Sequence, residues 1–178
     1  LDHATSGVLL IALDARTAAM LSGQFESRAV EKRYVAFAAG ATLPDDTTVT
    51  LALHAARKGK MRPATPGEPG AISARTDYAV EHSWPHAGAA IARVRCHPRT
   101  GRQHQIRVHL RAIGCPILRD SHYGLATFKP PYDTLPLSRL ALHAAAIELP
   151  RVLEQPAQRV EALEEPRDVR AVPHSMQM

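Results

Sequence analysis

Arg99-Thr100-Gly101-Arg102-Gln103-His104-Gln105-Ile106-Arg107-Val108-His109-Leu110 is the stretch that decides how this chain is read. Gly101 interrupts a strand-like run. Thr100 and Gln103 stand at the spacing of a capping box, in which each side chain satisfies a free N–H at a helix start. The spacing predicts a helix over 102–113, with Ile106, Leu110 and Ile113 on one face and Gly114 and Pro116 ending it. Arg107 and Arg111 lie one turn apart on another face, with Arg102 at the entrance. A guanidinium near a core needs an anion, and its planar fork suits a carboxylate or a phosphate.

The first ten residues, Leu1-Asp2-His3-Ala4-Thr5-Ser6-Gly7-Val8-Leu9-Leu10, offer that anion in Asp2. An Asp ahead of Thr-Ser-Gly is by itself an ordinary turn former. The apolar run over 8–13 has the length of a buried strand. The order of the remaining blocks adds meaning. Lys32-Arg33-Tyr34 comes next, then Thr100 to His109, then Asp120-x-x-Tyr123-Gly124 and Arg139-Leu140-Ala141-Leu142-His143-Ala144. In this order the blocks resemble the RluA-type family of RNA pseudouridine synthases, and they span nearly the whole chain.

The resemblance implies the pseudouridine synthase catalytic fold, with a cleft across a central sheet. It implies isomerisation of uridine to pseudouridine in structured RNA, ribosomal large-subunit RNA or transfer RNA, with no cofactor. The N1–C1′ bond breaks, the uracil turns, and C5 bonds to C1′. Asp2 is the implied catalytic carboxylate, either attacking C1′ or removing a sugar proton. Arg107 is its implied charge partner. Tyr34 is implied to stack on the base and to help remove the C5 proton. A base within a stem must be flipped out to be reached. Arg102, Gln103, His104, Arg111, Lys58, Lys60 and Arg62 are the expected RNA contacts. The family carries Thr or Ser where Gln103 stands. It also carries His-Arg before the Leu-Asp pair and a β-containing segment ahead of that, so the chain reads as N-terminally truncated.

Composition agrees with an RNA partner. The 178 residues carry a net charge of +5, with a pI near 9.6. His82 to Arg119 contains seven arginines and no acid, and Thr47 to Gly67 is also acid-free. Acids gather late, at Glu148, Glu154, Glu161, Glu164, Glu165 and Asp168. Such segregation of sign points to a nucleic-acid face. No apolar run approaches a membrane span. Cys96 and Cys115 are two widely separated thiols, which fits a reducing, cytoplasmic setting. A monomer is expected.

Local patterns predict an α+β fold with a mixed, mainly antiparallel sheet and a few helices. Expected elements are strands at 8–13, 33–38, 49–54, 72–81, 89–97 and 140–149. A helix capped by Asp14 is expected over 15–27, burying Ala18, Leu21 and Phe25. An irregular basic loop is expected between 55 and 71, and another loop at 126–136. Residues 1–150 form the expected catalytic domain and 151–178 a polar, acidic tail.

Two rival readings are weighed. A metal site would draw on His97, His104 and His109, but His104 and His109 are five apart, off the four-residue spacing of a helical ligand pair, and no metal is expected. A non-catalytic RNA-binding module, or an inactive fragment of such an enzyme, would explain the charge but not the joint presence of Asp2, Tyr34 and Arg107.

Overall fold

The computed structural model describes residues 1–40, 46–150 and 157–162. The sheet is built from β1 (Ser6–Gly7), β2 (Glu31–Ala39), β3 (Asp46–Val49), β6 (Thr76–His86), β7 (Ala89–Pro98), β8 (Leu142–Leu149) and β9 (Gln158–Glu161). Its order is β1-β8-β2-β7-β6-β3, with β9 also on β8. Only β1 runs parallel to its neighbour; every other pairing is antiparallel. The expected mixed, mainly antiparallel α+β sheet is therefore the fold. β4 (Leu53–Ala55) and β5 (Met61–Pro63) form a separate hairpin around a single 3-10 turn at Arg57–Gly59. The 55–71 stretch is thus partly regular.

α2 (Gln105–Ala112) is the structural centre of the site. Six consecutive residues, Gln105 to Leu110, are buried. An amphipathic helix on one sheet would bury only a stripe. Here Ile106 and Leu110 join the main core with Phe37, Ile91 and Val94, while Val108 packs into a second cluster with Leu53 and Met61 of the hairpin. Sheet and hairpin cover the helix from both sides, so Arg107, Gln105 and His109 must find polar partners inside. Each buried aliphatic side chain contributes about 1.5–3 kcal/mol of transfer free energy.

The helix starts three residues later than the expected 102. His104 is its N-cap, in the left-handed region at φ 55°. Gln103 makes no cap; its Nε2 donates to the Gly59 carbonyl of the hairpin turn at 3.3 Å. Gln105 does the work instead. Its Oε1 accepts from Thr100 Oγ1 (2.6 Å) and from the Arg102 N–H (3.0 Å), and its Nε2 donates to Arg75 O (2.9 Å) and Thr76 Oγ1 (2.8 Å). All four bonding positions of the amide are used.

The strand expected over 8–13 is not formed. β1 ends at Gly7, and Leu9, Ile11 and Leu13 are exposed. The reason is competition for one strand edge. β1 pairs with His143 and Ala144 of β8, and continuing it would need the edge of residues 146–149, which β9 occupies. Val8 and Leu10 still pack with Val30, Ile147 and Leu149. The acidic tail thereby contributes a strand, while Glu154, Glu164, Glu165 and Asp168 lie outside the described residues. In α1 (Ala15–Glu26) Asp14 caps as expected, its Oδ1 accepting the Thr17 N–H at 2.8 Å. The expected buried stripe is absent. No residue of α1 is fully buried and Phe25 is 42% exposed, because the helix meets the core only through a half-buried flank that includes Leu21.

The other expected strands hold with shifted ends. The 49–54 strand is split between β3 and β4, and the 72–81 strand runs later, as β6. The 126–136 loop contains two 3-10 turns, Leu125–Phe128 and Tyr132–Thr134.

Candidate active site

Asp2 is positioned by the short strand that follows it. The Thr5 N–H donates to Asp2 O (2.9 Å), closing a turn, and Ser6 Oγ bonds His143 Nδ1 at 2.7 Å. Gly7 has φ 115°, and a Cβ there would lie 2.1 Å from Ala144 O. Only glycine permits β1 to approach β8 this closely. Tyr34 reaches the same place through an irregularity. Between Arg33 and Tyr34 the pairing with β8 skips from Ala146 to Ala144, which re-aims the strand.

Arg107 joins these parts. Its Nη1 donates to Asp2 Oδ2 at 3.0 Å, while Nε and Nη2 donate to the two oxygens of Asp120, each at 2.8 Å. The side chains of Arg107 and Asp120 are 6% and 0% exposed, and that of Asp2 is 23% exposed. The buried carboxylate therefore grips one edge of the guanidinium and leaves the other for the half-buried one. Burial opposes the charge on Arg107, yet hydrogen bonds and attraction from Asp120, then Asp2, outweigh it and raise its pKa. Burial likewise pushes Asp120 up, but the bonds from Arg107 and the N–H groups of His122 and Tyr123 hold it below the ordinary carboxylate value.

Asp120 and Tyr123 act in the site although their sequence block suggested no role for them. Asp120 Oδ1 accepts the N–H groups of His122 (2.9 Å) and Tyr123 (3.0 Å). Gly124 closes the turn; a Cβ on it would meet Ile117 O at 2.5 Å. Tyr123 lies 5.1 Å from the Arg107 guanidinium, accepts the Met61 N–H (2.9 Å), and bonds His104 Nδ1 (2.8 Å). Only the short Asp-x-x-Tyr-Gly spacing could have signalled this.

Asp2, Lys32, Tyr34, Arg102, His104 and Arg107 line one cleft of about 320 Å³. Burial, then the charge on Asp2, raises the pKa of Tyr34, so its hydroxyl is a neutral phenol at neutral pH. Of the expected RNA contacts, Arg102, Gln103 and His104 line the cleft. Lys58, Lys60, Arg62 and Arg111 do not. Arg62 is also engaged: Nη1 donates to Glu68 Oε2 at 2.8 Å and Nη2 bonds the other oxygen, so its charge is already met. Among the described residues no three His, Cys, Asp or Glu side chains are grouped as a metal would need. His109 instead bonds Thr76 Oγ1 (3.1 Å) and Leu51 O (3.0 Å).

The model for the RNA pseudouridylate synthase family matches residues 1–112. The chain belongs to this family, and its relatives are of the RluA type. It is 36% identical over 149 residues to the dual-specificity RNA pseudouridine synthase RluA of Escherichia coli K12, covering 84% of this chain and 64% of the relative. It is 33% identical over 155 residues to RNA pseudouridylate synthase domain-containing protein 1 of Danio rerio, covering 84% and 51%. The chain thus spans between half and two thirds of the length of these relatives. Among solved structures, human RNA pseudouridylate synthase domain containing 1 superposes with a TM-score of 0.77 at 28% identity, covering 92% of this chain and 66% of that one.

The histidines set a pH dependence. Burial lowers the pKa of His97, His104 and His109. The unfolded chain then binds more protons than the folded one below about pH 6.5. Stability present above that value is lost as pH falls through the folded pKa values. The lowered Asp77 and Asp120 add a second loss below about pH 4. Thermal melts are expected to show a Tm that falls from about pH 6.5 downward and more steeply below about pH 4. A constant Tm between about pH 7.5 and about pH 5 would contradict this assignment.

Proposed function

We propose that this chain is the catalytic domain of an RNA pseudouridine synthase, acting on uridine in large-subunit ribosomal RNA, transfer RNA or both. The observation that carries the reading is the Asp2 carboxylate, held at the mouth of a one-nucleotide cleft by an arginine that a second, buried carboxylate locks in place. The name of the E. coli relative, a dual-specificity RNA pseudouridine synthase, supports an RNA substrate of more than one kind. Two buried free cysteines fit a reducing cytoplasm, where we place the protein as a monomer.

The target base flips into the cleft, at a cost of a few kcal/mol offset by contacts to the extruded nucleotide. Tyr34 stacks on it. Breaking N1–C1′ builds oxocarbenium character at C1′, which Asp2 captures or relieves by taking a sugar proton. The uracil leaves as a resonance-stabilised anion, stays in the cleft, and turns. C5 then bonds C1′, N1 gains a proton, and the C5 proton departs. Nothing is consumed, so the reaction calls for no cofactor. Tyr34, a neutral phenol, relays this last proton: its oxygen takes the C5 proton as its own O–H proton passes to solvent, so no phenolate forms. Tyr34→Phe is therefore expected to keep RNA affinity within about twofold and to slow product formation by about 10²-fold, the lower end of a proton-transfer contribution. A variant identical to the parent in single-turnover assays would exclude that role.

Tritium release from RNA carrying 5-tritiated uridine tests the function, with transfer RNA and ribosomal fragments compared. Release accompanied by pseudouridine is the expected result. Tight, salt-sensitive binding with no release from any RNA would instead identify a binding module.

A further inference from the structure

A second cleft of about 380 Å³ opens beside the first, lined by Phe25, Glu26, Arg28, Lys32, Gly101 and Arg102, with Thr100. Lys32, Thr100, Gly101 and Arg102 line both clefts, so the two share a wall. Gly101 carries no side chain there, and a Cβ on it would come within 3.5 Å of Lys32 Nζ.

Thr100 and Arg102 help to build the fold from this wall, but the side chains of Phe25, Arg28 and Lys32 are not spent on it. Phe25 is 42% exposed at the end of α1, outside every hydrophobic cluster. Arg28 stands just past the helix in the left-handed region at φ 60°. Among the described residues neither Arg28 nor Lys32 has an ion-pair or side-chain hydrogen-bond partner. Lys32 is half-buried, and burial lowers its pKa, so its ammonium bears a desolvation cost that no anion of the chain offsets. Arg102 spends only its Nε, on Ser73 O at 3.1 Å. Three cations against the single acid Glu26 leave the cleft positively charged. An exposed aromatic ring beside unpaired cations is the equipment for holding one stacked base and its phosphate.

We propose that the second cleft is a subsite for the nucleotide adjacent to the target uridine, with its phosphate on Lys32, Arg102 and Arg28 and its base stacked on Phe25. The proposal rests on the synthase reading for its register, since the shared wall places the flanking phosphate between the flipped base and its neighbour. Lys32 then faces both: it sits near Asp2 and Tyr34 on one side and meets the phosphate on the other. Glu26 keeps the outer rim from accepting a second phosphate.

The test uses the 178-residue chain and a fluorescein-labelled RNA stem-loop with one loop uridine, together with two copies in which the nucleotide on either side of that uridine is abasic. Phe25→Ala is expected to weaken binding of the intact stem-loop about tenfold. With one of the two abasic RNAs, and only one, parent and variant are expected to bind equally. Arg28→Ala is expected to flatten the dependence of log Kd on log salt by about one unit. Phe25 and Arg28 are exposed, so neither variant threatens the fold. Tritium release is followed in parallel on a transcribed transfer RNA. Parent turnover with Phe25→Ala and Arg28→Ala unchanged in affinity would overturn the subsite and keep the synthase. A Phe25 penalty confined to one flanking nucleotide, without turnover by the parent, would keep the subsite and overturn the synthase. A Phe25 penalty that neither abasic substitution removes would overturn the subsite.

Discussion

Asp2→Asn is expected to abolish isomerisation, with a loss of at least about 10⁴-fold in single-turnover rate, the scale on which a catalytic carboxylate is missed. Asn matches Asp in shape and still accepts one hydrogen bond from Arg107 Nη1, so the cleft keeps its form. What disappears is the negative charge that the proposed mechanism brings to C1′. RNA affinity is expected to stay within about threefold, because binding draws on phosphate contacts elsewhere. Fluorescence anisotropy and tritium release on the same RNA separate the two. A variant retaining a tenth of parental turnover would remove Asp2 from the chemistry and leave it as the turn residue that its bond with Thr5 already makes it.

The second large effect falls on the ion triad. Arg107→Ala leaves Asp120 fully buried and without its counter-charge, keeping only the N–H groups of His122 and Tyr123. Breaking a buried pair from one side costs about 3–5 kcal/mol. For a chain of this length that is a Tm loss on the order of 10 °C. Activity is expected to vanish with it, since Asp2 loses its orienting bond. The double variant Arg107→Met with Asp120→Asn is expected to regain most of the stability and none of the activity, because it removes both charges but restores nothing at Asp2. Arg107→Lys places a point charge where three bonds in a plane are made, and it is expected to be strongly impaired. Full activity in the Lys variant would show that the geometry of the fork is irrelevant.

Much of this site was legible in the chain. A carboxylate next to a Thr-Ser-Gly turn and an arginine inside a helix each ask for the other, and the order of the blocks alone joins Asp2, Tyr34 and Arg107. What stayed hidden was the third member. Asp120 makes its two strongest bonds to a residue 13 positions earlier, and nothing in local sequence reports that pairing. The helix start was misplaced for a related reason. Gln103 and Gln105 are chemically identical candidates, and spacing favours Gln103. The left-handed turn at His104 delays the helix, so Gln105 becomes the residue pinned among Thr100, Arg75 and Thr76. The length of the apolar run at 8–13 suits a strand, but run length cannot reveal that β9 takes the strand edge it would need. Phe25 was assigned to a core stripe by its period, and the helix that carries it has only a shallow contact with the rest.

The attachment of Asp2 differs in kind from that of its partners. Arg107 and Asp120 are buried, whereas Asp2 hangs from a two-residue strand whose fit depends on the missing side chain of Gly7. The site is a rigid socket holding a tethered blade. Spectroscopic signals of folding report the sheet and the buried helix that form the socket, not the two-residue strand. Detachment of the blade would leave circular dichroism and the melting curve almost untouched while extinguishing catalysis. For this protein, a well-folded sample and a competent one are separate things to verify.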